Sequence, residues 1–452
     1  MTLALAVALV VLAWTYYGTA LAGERSDAKR RARSVGAMLE SERRADLTFD
    51  STATVEDYLA LAMERSPALR AAYNRWVAAL RNSDHAGALP DPVFSYGYFL
   101  ESIETRVGPQ EQRFGLRQAF SWFGTLGAKR DMSFAASEAA FQKFESERLK
   151  LFYQVKVAYY DYYFIGQDLS ITRENLELLK FWESVVRSKY KVGLKQHPDL
   201  IKVQVELGKL EVHLRTLEEK TEPAAARMRA LLNLQENEPI PVPSVVTVEE
   251  AALQEELVIA AVKLNNPDLR ALSHLVEREE AGVRLAKKLS MPSFSVGVDY
   301  IQTGEALNPD MPEGGKDPWM VGASVTLPLW LGKNSARTAE ATARREAAKY
   351  GALDAENRLA AATEKVLFEY SDALRKTKLY RDGLVPKAQQ SLNSSYAAYQ
   401  AGETDFLNVL DAQRQLLDFQ LTVAREKTRL ATKRAELEML TGSEIGDDLL
   451  GE

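Results

Sequence analysis

The sequence predicts an α+β membrane protein: long helical hairpins joined to four short β-strands, too few to close a barrel within one chain. Three observations carry that reading. The chain is written twice, its helical stretches outrun ordinary globular lengths, and its strands have one aromatic and aliphatic face against one small or polar face.

The duplication rests on landmarks that return in one order. "SPALRA" at Ser66 comes back as "NPDLRA" at Asn266, an offset of 200, and "PVFSYGY" at Pro92 as "PSFSVGV" at Pro292, at the same offset. "FGLRQAFSWFG" from Phe114 matches "VGASVTLPLWL" from Val321, at 207. "YKVGLKQHPDL" at Tyr190 matches "YQAGETDFLNV" at Tyr399, at 209. A drift of a few residues over such a span is that of a repeat with small insertions. The expected organisation is a leader at 1–22, a charged segment at 23–50, repeats at 51–247 and 248–442, and a tail at 443–452. Each repeat is predicted to run helix, strand, loop, strand, very long helix, tight turn, helix.

The long helices follow from what interrupts them. Residues 128–192 hold one glycine, Gly166, and no proline; as a helix they would reach on the order of 100 Å. Residues 333–401 carry Gly351, Gly383 and Pro386, so a kink is expected near Pro386. The helix after the first turn has apolar residues at heptad spacing, among them Leu200, Val203, Leu207, Leu210, Leu214 and Leu217, a coiled-coil seam. Pro223 lies within it and is predicted to mark a bend or a helix junction. In the second copy one column stays apolar (Val409, Leu416, Val423, Leu430, Leu437), while the other runs Ala412, Phe419, Glu426, Lys433. That flank is expected to face water or a different partner.

Each strand splits into two faces. One carries Phe94, Tyr96 and Tyr98, then Phe114, Leu116 and Phe120, then Phe294, Val296 and Val298, then Trp319, Val321 and Val325. The other carries Ser95 and Gly97; Arg113, Gly115 and Arg117; Ser295, Gly297 and Asp299; Gly322 and Ser324. A soluble sandwich also alternates, but its outer face is a solvated charge pattern rather than glycine and serine. Strands of about 9 residues can cross a bilayer when tilted. An open sheet edge is unsatisfied in lipid, so several copies must share one barrel, with the aromatic faces on outer-membrane lipid. "ESIETRVGPQEQ" and "TGEALNPDMPEGGKDP" are predicted to be the loops outside the cell.

Composition narrows the function classes. The net charge of −6 argues against nucleic acid as a partner, since no basic face is there to neutralise phosphates. There are no cysteines, hence no disulfide, thiolate metal site, cysteine nucleophile or lipid anchor on an N-terminal cysteine. His85, His197, His213 and His274 are scattered without metal-ligand spacing, and no phosphate-binding, nucleophile-elbow or dinucleotide fingerprint occurs. The expectation is no enzyme, no cofactor and no metal site. Residues Thr2 to Gly23 are uncharged, and "TALAG" offers a cut after Ala22, the pattern of a cleaved secretory signal; a membrane-spanning helix is the alternative. A soluble coiled-coil scaffold is the rival for the whole chain. It accounts for the helices but leaves the two-faced strands and the signal unexplained.

With its repeat order, the opening "TVEDYLALAMERSPALRAA" and the turns "VGL" and "AGETD", the chain from about Leu47 to Gly442 resembles the TolC-type outer-membrane efflux family. The resemblance implies a homotrimer: four strands per protomer in a shared twelve-stranded transmembrane β-barrel, and paired helices in a periplasmic α-barrel. It implies a passive exit duct partnered by a periplasmic adaptor protein and an inner-membrane pump of the resistance-nodulation-division type. Val192, Gly193, Leu194, Ala401 and Gly402 correspond to the adaptor-docking tips. At the periplasmic gate and lumen, Asp199 and Tyr399 match the family's Asp and Tyr, and Asp411 matches one of two Asp positions. Thr404 stands where the family has the gate Arg, and Asn408 where it has the other Asp. "IETRVGPQEQRFGLRQAFSWFG" looks most like members paired with heavy-metal cation pumps, which would make the cargo metal cations or small toxic compounds.

Overall fold

The computed structural model describes residues 22–40, 52–191, 197–244, 246–308, 310, 312–446 and 449–450. Residues 1–21 of the proposed signal segment and the first tip turn, Val192 to Leu194, lie outside these. Among the described residues no helix is long and apolar enough to cross a membrane.

The segment expected only to be charged forms helix α1 (Ala22–Glu40). Ala28, Ala32 and Leu39 are buried along it, and its charges are used in pairs. Arg31 lies 2.8 Å from Glu138 and 4.5 Å above the Phe141 ring, and Lys29 is 2.6 Å from Asp84.

Each repeat opens on two helices rather than the one expected: α2 (Val55–Arg65) and α3 (Pro67–His85), and in the second copy α6 (Glu255–Asn265) and α7 (Pro267–Lys288). The repeated Ser-Pro and Asn-Pro pairs cause the break. A residue before proline is pushed out of the α region, and Ser66 (ψ 116°) and Asn266 (ψ 121°) are so displaced. Both then cap the next helix. Ser66 Oγ accepts from the Leu69 N–H at 3.3 Å, and Asn266 Oδ1 accepts from the N–H groups of Asp268 and Leu269 at 2.9 and 3.1 Å.

The first very long helix is α4 (Thr125–Lys191), 67 residues without interruption. It is followed by α5 (His197–Leu232). Pro223 sits inside α5, so of the bend or junction expected there it makes no junction. The carbonyl its ring strands belongs to Glu219, and both residues are exposed, so water can satisfy that oxygen. In the second copy α8 (Leu331–Leu379) passes into a π-helical turn, Tyr380–Leu384, and then α9 (Val385–Ala401). Where a kink is expected near Pro386, the α-helix gives way to this turn. Val385 N–H bonds Tyr380 O, five residues back, and Pro386, with no N–H to place, falls in the first turn of α9.

The last helix, α10 (Phe406–Thr441), buries Val409, Leu416, Leu430 and Leu437 and half-buries Val423. Its second column does not face water. Glu426 is buried, and Lys433 Nζ lies 2.6 Å from Glu369 of α8 and 2.8 Å from Glu436. Arg429 is 3.5 Å from both Glu426 and Asp372. The different partner is a charged face of the same chain.

The strands are β1 (Val93–Thr105), β2 (Gly108–Phe120), β3 (Ser293–Thr303) and β4 (Trp319–Thr326), one antiparallel sheet in the order β1-β2-β3-β4. Much of the first expected loop is strand. After a register shift between Tyr98 and Ile103 the ladder resumes, and Thr105 pairs with Gly108 across a two-residue turn. Backbone bonds from Gly304 N to Pro109 O (2.7 Å) and Gly315 N to Val107 O (2.6 Å) hold this hairpin to the second loop.

The chain gathers into two compact units, each drawing on both repeats. One takes Asn74–Phe141 and Ala271–Asp354, including the sheet, together with the start of α1; the other takes Ala32–Tyr73, Gln142–Arg270 and the chain from Ala355.

Candidate functional site

The first candidate element is the sheet. Register places the predicted lipid-facing residues on one continuous face: Phe94 pairs with Leu116, Leu116 with Val298, and Val298 with Val321. One row is aromatic across all four strands. Ring centroids are 5.3 Å apart for Tyr96–Phe114, 6.1 Å for Phe114–Tyr300 and 5.0 Å for Tyr300–Trp319. A second row pairs Phe120 with Phe294 and Phe294 with Val325, and Val296 lies on the same face. Phe94, Tyr96, Tyr98, Leu116, Val296, Trp319, Val321 and Val325 are exposed; Phe114, Phe120, Phe294 and Val298 are half-buried. For one soluble chain this would be a costly display of apolar surface. Gln112, Gln118 and Gln302 are polar residues on that face, Gln112 pairing with Tyr98 and Gln302, and Gln118 with Val296. The Gln118 amide donates to the Pro90 and Ala119 carbonyls at 2.8 and 2.9 Å.

The opposite face holds an ion pair that sequence reasoning missed. Arg113 donates to Asp299 Oδ1 through Nε at 3.1 Å and approaches it through Nη2 at 3.0 Å, and Asp299 is 5% exposed. Gly115 makes room for it. A Cβ there would stand 2.5 Å from Ser95 Oγ and 2.6 Å from Asp299 Oδ1.

The second candidate element is the turn between α9 and α10. Ala401 ends α9, and Gly402 caps it at φ 80°, a left-handed conformation glycine takes without strain. Glu403 N–H closes on Ala398 O at 2.9 Å. Thr404, Asn408 and Asp411 come together here. With Ser391, Ser394 and Ala398 they line an open groove of about 630 Å³, and the Asn408 amide donates to the Thr404 hydroxyl.

Tyr399 does not join that groove. It is fully buried in a core shared by α4, α5, α9 and α10, with Leu179, Trp182, Val203, Leu392 and Val409. Its ring meets Phe406 at 5.1 Å and lies under Lys189 Nζ at 4.5 Å. Burial, and then the charge of Asp199, push its phenol up; Asp199 itself is half-buried.

Asp411 is exposed and paired. Arg414 Nη1 is 3.1 Å from its carboxylate, and Arg414 Nη2 is 2.5 Å from Glu206 of α5, which Lys209 also approaches at 2.9 Å. The bond to Arg414 holds the Glu206 carboxyl below its ordinary range. Arg414 was visible in sequence as an i, i+3 partner of Asp411; Glu206, 208 positions from Arg414, was not. Among the described residues no group of three or more His, Asp or Glu side chains could hold a metal ion.

Residues 258–443 match the family described as "Outer membrane efflux protein". The chain is 22% identical over 376 residues to nodulation protein T of Rhizobium leguminosarum bv. trifolii, covering 79% of this chain and 78% of that protein. In fold it is similar to the outer-membrane channel OprN, with a TM-score of 0.72 at 18% identity over 89% of this chain and 98% of that one. It is likewise similar to the outer membrane protein VceC of Vibrio cholerae, with a TM-score of 0.71 at 16% identity over 87% and 97%. Residues 258–443 thus match the outer membrane efflux protein family, and the chain as a whole has the TolC-type fold shared by the outer-membrane channel OprN and the outer membrane protein VceC.

Proposed function

We propose that this chain is the outer-membrane exit duct of a tripartite efflux or secretion system. One observation carries the reading: the sheet has an aromatic face across all four strands, and its outer strands β1 and β4 pair with no other strand among the described residues. In lipid such edges require partners, and further copies of the chain supply them with the apolar face kept outward. Three copies make the twelve-stranded barrel, with α4, α5, α8, α9 and α10 extending into the periplasm. An adaptor protein docks at the tips, with Ala401 and Gly402 at one and Val192, Gly193 and Leu194 at the other. A pump of the resistance-nodulation-division type supplies the energy. Thr404, Asn408 and Asp411 line the entrance, with Asp199 and Tyr399 bracing it from behind, and the cargo is metal cations or small toxic compounds.

The test is the native mass of the detergent-extracted protein from fractionated membranes. A trimer in the outer-membrane fraction is expected. A monomer or dimer that stays in water without detergent would overturn the reading and return the chain to the scaffold class.

A further inference from the structure

The polar face of the sheet is not electrically neutral. In the paired region its ionisable residues are Arg113, Arg117 and Asp299, and Asp299 is spent on Arg113, 3.0 Å away. Arg117 is exposed, with no carboxylate within 4.0 Å among the described residues. It pairs across the ladder with Val93 on one side and Gly297 on the other. Its side chain lies over Gly297, where an added Cβ would meet Arg117 Nε at 3.4 Å. The next residue along this row, on β4, is Gly322. A guanidinium stays protonated at any working pH.

A neighbouring copy would not cancel this charge. The edge that β1 offers is completed by another strand, and in a shared barrel that strand is a neighbour's β4. On the polar face β4 carries Met320, Gly322, Ser324 and Thr326, none of them acidic. Each copy therefore adds one net positive charge at the same height of the inner wall.

We infer that Arg117 sets the charge preference of the barrel, forming a ring that favours anionic solutes and holds back bare cations. This rests on the duct reading above. A ring of like charges in a narrow water-filled path bounded by a low-dielectric wall raises the local concentration of the opposite ion. The ring acts at the barrel and is separate from Asp411, whose charge Arg414 offsets near the other candidate element. A metal cargo would then cross the barrel more readily as an anionic or neutral complex than as a free ion.

The experiment is the reversal potential of the purified protein in planar bilayers under a KCl gradient, for the wild type, Arg117→Gln and Arg117→Lys. The wild type and Arg117→Lys are expected to lean toward chloride, with Arg117→Gln shifted toward potassium. Conductance with an Arg117→Gln potential equal to the wild type's would overturn the Arg117 inference and leave the duct standing. A wild-type trimer that inserts and conducts nothing would overturn the duct reading, and this inference with it. If Arg117→Gln fails to assemble, Asp299→Asn is measured instead. It frees Arg113 on the same face and must move the potential further toward chloride; an unmoved potential there also refutes the ring.

Discussion

Tyr370 Oη donates to the carbonyl of Ala251 at 2.8 Å. The bond has a counterpart in the first repeat, where Tyr159 Oη donates to Ala53 O at 3.1 Å. In each copy the long helix thus reaches back to the residues just before the opening helix. Tyr370→Phe is expected to lower stability by about 0.5–1.5 kcal/mol, because Ala251 O loses its donor at a part-buried site. Tyr159→Phe should do the same in the other copy. Thermal unfolding of the detergent-solubilised protein checks both. Burial pushes the Tyr159 phenol up to about 12, so its contribution is present below the ordinary tyrosine range and is lost only as pH rises through that folded value. The gap between wild type and Tyr159→Phe should stay constant from neutral pH to pH ~9.

Gly402 and Gly442 have nearly the same backbone, φ 80° and 82°, at the ends of α9 and α10. Their surroundings differ. A Cβ on Gly402 meets nothing within 4 Å, whereas one on Gly442 would stand 2.7 Å from Asn265 O. Gly402→Ala should cost only the left-handed backbone term, about 1–2 kcal/mol. Gly442→Ala adds a clash with main chain and should cost clearly more. Equal losses in melting temperature would refute the distinction. If the turn at Gly402 is a docking tip, a bulky residue there should weaken adaptor binding in a pull-down while the trimer persists.

The pairing of Lys433 with Glu369 makes part of the stability pH-dependent. The bond to Lys433 holds the Glu369 carboxyl below its ordinary range. A depressed carboxylate stabilises the folded state above its unfolded value, and that contribution is lost as pH falls through the folded one. Glu369→Gln should therefore melt below the wild type at neutral pH, and the difference should shrink as the medium is acidified. A gap that stays constant down to pH ~3 would show that the ion pair contributes nothing there.

Phe114 stands in the middle of the aromatic row. Phe114→Arg would put a charge on the face proposed to meet lipid, where the cost is about 2–4 kcal/mol per chain near a bilayer centre and less toward its edges. Reduced recovery of the trimer in the outer-membrane fraction is expected. Ser324→Arg, on the polar face, should be tolerated. If both variants assemble alike, the assignment of faces fails.

Local features of this chain were legible because they depend on neighbours along the backbone. The alternation of Phe94, Tyr96, Phe114, Val298 and Val321 against serine and glycine decides which side of each strand is apolar, whatever the strands pair with. The left-handed cap at Gly402 and the interruption before Pro386 likewise follow from the freedom of glycine and the missing N–H of proline. The two breaks at Ser66 and Asn266 were written in their Ser-Pro and Asn-Pro pairs, although a single helix was expected.

Pairings between distant segments lie beyond periodicity. Arg113 and Asp299 stand 186 positions apart, and Tyr399 is a core residue only because α4, α5, α9 and α10 converge on it. Asp411 reads as an open carboxylate until Arg414 and Glu206 are found beside it, and the polar column of α10 reads as a wet flank until Glu369 and Asp372 of α8 face it. The sequence by itself determined the duplicated plan, the two faces of the strands and the turns, since each is set by the covalent geometry and polarity of adjacent residues. Only the tertiary structure decided which charges are cancelled and which stay free, because a charge is screened by whatever lies within a few ångströms of it in space, however far away along the chain.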